Sequence, residues 1–540
     1  MTKIPPETVF AAFEQTALRW PERDFLTVMP DTAEVYGIPA GTITYHTAYH
    51  ESLSRAEAFD AAGYRRGMRV AVLLENRPDY FLIWLALNRL GVSVVPINPD
   101  LRQSEQTYLI GHSEPALVIA IPARQEELRK AATSAGLSVD VIGPGDSIPV
   151  PKGGGTVADI LDGEAQEAAL LYTSGTTGHP KGCVLPNTYF LLAGEWYRNV
   201  GGLADLSETG ERMITPLPVF HMNAMAYSFM AMVAVGGCLI ALDRFHPATW
   251  WSDVRNSGAT CLHYLGVMPT MLMRTPPSPK DQTHSVRFGF GAGIDPKLHQ
   301  AFETRFAIPL VEAWAMTETG AGAVIAANTH DRLIGQSSLG TPAPDIACKI
   351  VNEAGQEVPH DTPGELWVRR AKGDPKYGFF SHYYKNPQAT DEAWEGGWFH
   401  TGDLVRQSPK GDIFFVDRKK NVIRRSGENI AAVEVESVLM RHPDIKAVGV
   451  TAVPDPIRGD EVFACIVSDS PTKDTAHAIT AWCLQEMAYY KAPGFIAFVD
   501  ALPLTPTQKI QRAELKTRAC ALLNTPETIN TGHLKKRQVA

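Results

Sequence analysis

The stretch YTSGTTGHPKGC, Tyr172 to Cys183, restricts how this chain can fold more than any other. Seven of its twelve residues are Ser, Thr or Gly, and a lysine stands near its far end. It starts where the apolar run AALLY, Ala168 to Tyr172, finishes, which reads as a buried strand opening into a loop. Gly175, Gly178 and Gly182 can adopt φ > 0 and bring backbone N–H groups close to an anion. Thr173, Ser174, Thr176 and Thr177 add short hydroxyl donors, and Lys181 adds a point charge. This is the composition of a phosphate cradle. It is not a Walker A loop, because Pro180 precedes Lys181 and Gly182 stands where a magnesium-binding hydroxyl is required.

A chain of 540 residues exceeds what one core supports, which predicts two or more domains. From Thr8 to about Gly163 helix and strand patterns alternate. A helix falls around Glu51 to Ala62, a strand at Arg69 to Leu74, a helix near Tyr80 to Leu90, and strands at Val92 to Asn98 and Leu117 to Pro122. Such alternation predicts α/β structure with parallel strands. A second α/β stretch runs from Thr188 to about Ala327. Within it, Met222 to Leu242 is uncharged and long enough for a membrane span, but Gly236-Gly237 interrupts it and His221 and Asp243 bound it, so it reads as buried helix and strand. Short strands with Gly/Pro turns from Leu339 to about Asp417 predict a small β-rich subdomain. A polar segment follows, and then a compact α+β unit. The expected division is residues 1–417, a hinge at 418–421, and 422–540.

A net charge of −9 leaves no basic footprint for nucleic acid or an anionic membrane. Seven scattered cysteines without a C-x-x-C pair fit neither a disulfide framework nor a zinc site, and point to a reducing, cytoplasmic setting. The first residues read as an amphipathic helix and carry no apolar leader. The glycines of FGFGAGIDP, Phe288 to Pro296, miss the dinucleotide fingerprint because Ile294 stands in place of the third glycine.

The loop pattern [ST]-S-G-[ST]-T-G-x-P-K-G resembles the phosphate loop of the adenylate-forming superfamily, which holds the acyl-CoA and aryl-CoA synthetases, peptide-synthetase adenylation domains and beetle luciferases. Further strings carry the resemblance along nearly the whole chain. EAWAMTETGAG, Glu312 to Gly322, resembles the adenine and magnesium motif. GWFHTGDLV, Gly397 to Val405, resembles the ribose motif, DRKKNVIRRSGENI, Asp417 to Ile430, the hinge, and LPLTPTQKIQR, Leu502 to Arg512, the last motif. PLPVFHMNA, Pro216 to Ala224, resembles the stretch bearing a histidine or aromatic gate beside the acyl pocket.

The resemblance implies a large N-terminal domain of two α/β subdomains plus a small β-rich subdomain, a hinge, and a small α+β C-terminal domain. It implies ATP, Mg²⁺ and coenzyme A, with a small-molecule carboxylic acid as the other substrate. Lys509, Glu318, Thr317 and His221 would be catalytic, with Glu318 also holding the metal. The nucleotide would meet Thr173 to Gly178, Lys181, Gly291, Ala292, Gly293, Glu312, Ala313, Trp314, Thr317, Asp403 and Arg418. Trp314 would stack on adenine and Asp403 would accept from the ribose hydroxyls. Lys420 would be the pivot, with Ser426, Gly427 and Glu428 lining the thiol tunnel. Met222, Asn223, Met225, Tyr264, Gly266, Val267 and Gly320 would form the acyl pocket. Trp314, Ala315 and Gln508 depart from the usual tyrosine and glycines of these motifs.

Two alternatives stand beside an acid–thiol ligase. One is an adenylation enzyme that loads a carrier protein, against which no Asp follows His221. The other is a regulator on a dead scaffold, against which Lys181, Glu318, Asp403, Arg418 and Lys509 all remain. The strings GENIA and PDPIRGDE, Gly427 to Ala431 and Pro454 to Glu461, resemble the branch of carnitine or crotonobetaine-CoA ligases. A loop of this type predicts that ATP is cleaved to AMP and pyrophosphate. Chromatography of the nucleotide products checks it, and ADP with orthophosphate as sole products would contradict it.

Overall fold

The structure is a computed structural model that describes residues 5–153, 161–173, 180–418, 422–503 and 510–536. Among these residues the strands form four sheets. The first sheet orders His382–Tyr383, Lys181–Pro186, Glu167–Thr173, Ser93–Pro96, Arg69–Leu73, Leu117–Ala120 and Val141–Ile142. From Glu167–Thr173 to Val141–Ile142 its strands are parallel, with Arg69–Leu73 and Leu117–Ala120 buried as their unbroken Val/Ile/Leu/Ala runs require, while Lys181–Pro186 runs antiparallel to both of its neighbours.

The second sheet orders Ile325–Ala326, Leu310–Trp314, Phe288–Ala292, Cys261–Leu265, Arg212–Thr215, Cys238–Ala241, Asp24–Val28 and Gly41–Thr44. Here the structure corrects the linear reading. The N-terminal hairpin Asp24–Val28/Gly41–Thr44 belongs to this second sheet, pairing Leu26 with Leu239, and His382–Tyr383 crosses back to the first. Local pattern identifies a strand but carries no information about which distant edge it completes.

Helices Val9–Arg19, Pro78–Arg89, Asn187–Asn199 and Phe229–Val235 pack against one another. Pro78–Arg89 is buried from Tyr80 to Asn88, with Trp84 edge-on to Phe190 and 5.3 Å from Phe229. A helix enclosed all round needs no polar face, and this one carries almost none. Its one deep polar side chain, Asn88, accepts the Phe10 N–H at the start of Val9–Arg19 and donates to Asn187 Oδ1, which in turn accepts from Val9 N. Two buried amides thereby satisfy orphan donors of a helix N-terminus. The uncharged run Met222 to Leu242 becomes a π-helix Asn223–Ser228, a helix Phe229–Val235 and a strand Cys238–Ala241. No helix among the described residues is long and apolar enough to cross a membrane.

The third sheet, Ser338–Gly340, Ile413–Arg418, Phe399–Gln407, Gly364–Arg370 and Ile346–Val351, is antiparallel throughout. The fourth is built from residues 422 onward around the long hairpin Ala447–Asp455/Gly459–Val467, with helices Ala432–Leu439 and Lys473–Glu486 packed over it. All seven cysteines are unpaired.

One buried ion pair stitches the first sheet. Arg69 donates through Nε and Nη2 to both oxygens of Glu167, at 2.7 Å each, and its guanidinium lies 3.9 Å over the Tyr384 ring. Both partners are buried. Removing one leaves an uncompensated charge, so Glu167→Ala is expected to lower the unfolding free energy by about 3–5 kcal/mol. Urea denaturation checks it, and a loss below about 1 kcal/mol would assign the pair no structural weight.

Candidate active site

The two strands that frame the phosphate-loop motif are antiparallel neighbours, and Thr173 faces Lys181 across the ladder. Ser174, Gly175, Thr176, Thr177 and Gly178 lie outside the described residues, as do Lys420 and Lys509 and the side chain of Arg418. The described ends hold the lysine at the mouth of a cavity of about 1110 Å³. Lys181 Nζ sits 4.1 Å above the Tyr383 ring, and the Tyr383 hydroxyl donates to Glu318 Oε1 at 2.8 Å. Tyr383 is thus the piece that joins the lysine and the carboxylate. No short motif announces it, because its strand reaches the site from 200 residues further along the chain.

Thr173, Lys181, His221, Met222, Asn223, Gly291, Ala292, Ala313, Thr317, Glu318, Gly427 and Glu428 all line this one cavity. Glu318 is 7% exposed. One carboxylate beside a lysine at a cavity fits the way Mg²⁺ is held, by one or two carboxylates and substrate phosphates rather than by a protein cage. Among the described residues no three His, Cys, Asp or Glu converge as a metal cluster.

Behind the wall stand residues that shape it. Glu312 is buried and accepts from Gly293 N at 2.9 Å, from Ile294 N at 3.3 Å and from the Tyr264 hydroxyl. Burial raises its pKa, while these donors oppose the rise. Glu312, on the strand Leu310–Trp314, is therefore taken up in holding the backbone of Gly293 and Ile294, and neither Glu312 nor Gly293 lines the cavity. Trp314 donates its indole N–H to Asp403 Oδ2 at 2.8 Å, and Asp403 is wholly buried, with its own N–H given to Thr401 Oγ1 at 3.0 Å. Asp403 also faces Arg418 across the backbone ladder.

Five of the residues expected at the acyl pocket are absent from the cavity wall. Side chains alternate along Cys261–Leu265, so Tyr264 points to Glu312 and Leu265 takes its place at the cavity. Met225 packs in the core under the Tyr80 hydroxyl. Gly266 abuts Gly293, whose carbonyl oxygen a Cβ at Gly266 would overlap, and Val267 opens the helix that follows. Gly320 packs against the Tyr189 ring. Tyr227, Phe290 and Val324 line the cavity in their stead.

The residue range from 422 closes the other side. Gly427 has φ +93°, and a Cβ there would overlap Leu265 Cδ1. Ser426, at φ +51°, donates its N–H to Arg458 O at 2.9 Å. Glu428 Oε1 is 3.3 Å from His221 Nε2.

Residues 13–384 match the family model described as AMP-binding enzyme, and residues 434–509 match the AMP-binding enzyme C-terminal domain. The chain belongs to the AMP-binding enzyme family. A sulfoacetate–CoA ligase from Cupriavidus necator is 31% identical over 95% of this chain and 98% of its own length. A crotonobetaine/carnitine–CoA ligase from Proteus mirabilis is 29% identical over 87% of this chain and 92% of its own. In fold the chain is similar to a double mutant of o-succinylbenzoate CoA synthetase from Bacillus subtilis, with TM-score 0.78 and 24% identity over 94% of this chain and 98% of that one. It is an enzyme of the AMP-forming acid–CoA ligase class.

The Trp314–Asp403 bond makes a measurable claim. Asp403→Ala is expected to weaken ATP binding at least tenfold, since charge-assisted bonds to a carboxylate net about 1.5–3 kcal/mol each. Trp314→Phe keeps an aromatic face but loses the N–H, and is expected to weaken it by less, about three- to tenfold. Calorimetry with ATP alone reads both, and an unchanged affinity in Asp403→Ala would remove the ribose role.

Proposed function

We propose that the enzyme acts on a small to medium acyl acid in two steps that share this cavity. The observation that carries the reading is the convergence on one cavity of a phosphate-loop lysine, a carboxylate joined to it through Tyr383, and the Gly427–Glu428 turn. In the first step an oxygen of the acid attacks the α-phosphorus of ATP, the bond to the β-phosphate oxygen breaks, and pyrophosphate leaves. Lys181 and the loop N–H groups would stabilise the charge spread over the transferring phosphorus, and positioned donors and charges of this kind account for most catalysis of such displacements. Glu318 would hold Mg²⁺, which supplies Lewis-acid stabilisation of the phosphate oxygens when bound. Asp403 would hold the ribose, with Trp314 positioning it.

In the second step the thiol of coenzyme A attacks the acyl carbon and AMP leaves. The Gly427 turn would line the path of the thiol, since a residue without Cβ at φ +93° lets backbone approach Leu265 closely. His221, between the acyl end and Glu428, would gate that path. We assign the N-terminal domain to residues 1–417, a hinge with Lys420 as pivot to 418–421, and a mobile C-terminal domain to 422–540. Rotation about the hinge would exchange the Gly427 face for Lys509.

Two variants separate the steps. Lys509→Ala removes one stabilising charge from the adenylation transition state and is expected to slow pyrophosphate exchange by roughly 10²–10³. It should still convert preformed acyl-adenylate and coenzyme A to thioester. Gly427→Leu forces a side chain into a left-handed backbone and onto Leu265, so it should block thioester formation while pyrophosphate exchange persists. Equal loss of both activities in both folded variants would rule out alternation.

A further inference from the structure

The acyl end of the cavity holds a polar relay that neither step uses. His263, on Cys261–Leu265, is completely buried. Its Nε2 lies 2.7 Å from the Tyr197 hydroxyl, and its Nδ1 lies 2.7 Å from Asn223 Oδ1 and 2.8 Å from Ser228 Oγ. Burial pushes its pKa down to about 3, so the ring is neutral and carries one N–H. Ser228 Oγ donates to the Asn223 carbonyl at 3.3 Å, which uses its proton and leaves it an acceptor toward Nδ1. Donor counting therefore assigns the imidazole proton to Nδ1 and lets Nε2 accept from Tyr197. Asn223 then turns Oδ1 to the histidine and its N–H₂ away from it. That N–H₂ makes no hydrogen bond to another described residue.

Asn223 opens the π-helix Asn223–Ser228, a widened turn of the kind that recurs at functional sites. It lines the cavity beside Met222, Tyr227 and Phe290. Between Leu217 and Met316, His221 is the one charge-bearing side chain among the described residues of that lining, and it faces Glu428. The cations of the lining, Lys181, Arg424, Arg441 and Lys491, come from the phosphate-loop strand and from residues 422 onward.

We propose that Asn223, locked by the Tyr197–His263 relay, donates its amide N–H₂ to the tail of the acid, so that the enzyme selects carboxylic acids carrying an uncharged hydrogen-bond acceptor on an otherwise apolar tail. This rests on the reading of the cavity as the acyl site. A second charge on the tail would lose its hydration against a stretch of lining whose one charge-bearing side chain, His221, is already engaged with Glu428. A plain hydrocarbon tail would leave the amide donors unpaired, the situation in which a polar site rejects an analogue most strongly.

The test uses the full-length enzyme with four acids of similar reach: 5-oxohexanoate, hexanoate, glutarate and 4-(trimethylammonio)butanoate. Trapping of acyl-adenylates with hydroxylamine reports whether any acid is activated, which tests the ligase reading by itself. The ratios of kcat/KM among the acids test the present inference, and dissociation constants from calorimetry give the same ratios even without turnover. The expected preference for the oxo acid is about tenfold or more over each of the other three. Asn223→Leu should bring the oxo-to-hexanoate ratio to within about twofold of one, and Tyr197→Phe should lower it part of the way without touching substrate. Thermal denaturation establishes that both variants are folded. Preference for hexanoate or for either charged-tail acid, binding of none of the four, or an unaltered ratio in folded Asn223→Leu would each overturn it.

Discussion

Everything at the site hangs from the antiparallel ladder between Glu167–Thr173 and Lys181–Pro186. Pairing Thr173 opposite Lys181 fixes where the lysine emerges from its strand. The same strand accepts His382–Tyr383 on its outer edge, with Tyr383 opposite Cys183. That second pairing brings the phenol to Glu318 and its ring beneath Lys181. A lysine over an aromatic face and a carboxylate at its hydroxyl are held apart by one rigid ring, which keeps the two opposite charges from collapsing into a direct salt bridge.

The closed side depends on a different kind of contact. Glu105 accepts the Arg102 N–H at the start of helix Gln103–Ser113, and the same carboxylate accepts from Ala488 N at 2.9 Å and from Lys491 Nζ at 2.5 Å. Lys491 also gives to Glu434 at 2.6 Å. Burial works against the charge of Lys491, but Glu105 and Glu434 together outweigh it and hold the ammonium protonated. Separation of the two faces would return Glu105 to its role as a helix cap and leave Lys491 with Glu434. Each side thus has a second partner on its own face, so neither charge depends on the contact alone.

The sequence made the elements legible where periodicity was strong. The strands at Arg69–Leu73 and Leu117–Ala120, the helix Pro78–Arg89 and the buried reading of Met222 to Leu242 needed no tertiary information. Charged motif residues such as Glu318 and Lys181 were legible too, since chemistry restricts their type. Three things were not: which sheet the N-terminal hairpin completes, that Tyr383 returns to the phosphate strand, and which of two adjacent residues faces the cavity at Tyr264-Leu265. The first two are long-range edge pairings. The third turns on strand phase, where an offset of one residue exchanges the wall for the core.

The departure of Trp314 from the usual aromatic takes on meaning only when its partner is known. In the sequence it is one large ring in place of another. Indole carries a donor and no acceptor, so a buried Trp in this position requires an acceptor within reach. The acceptor is Asp403, from a different sheet and 89 residues later. Because Asp403 is wholly buried, this bond fixes the orientation of its carboxylate before any nucleotide arrives, and the freedom that would otherwise be lost on binding is lost during folding instead. A phenol could have donated as well, but its hydroxyl can rotate and can also accept, whereas the indole N–H lies in the plane of a ring that packing already holds. The substitution therefore makes the Asp403 carboxylate more rigid, and it ties the residue expected under adenine to the residue expected on the sugar.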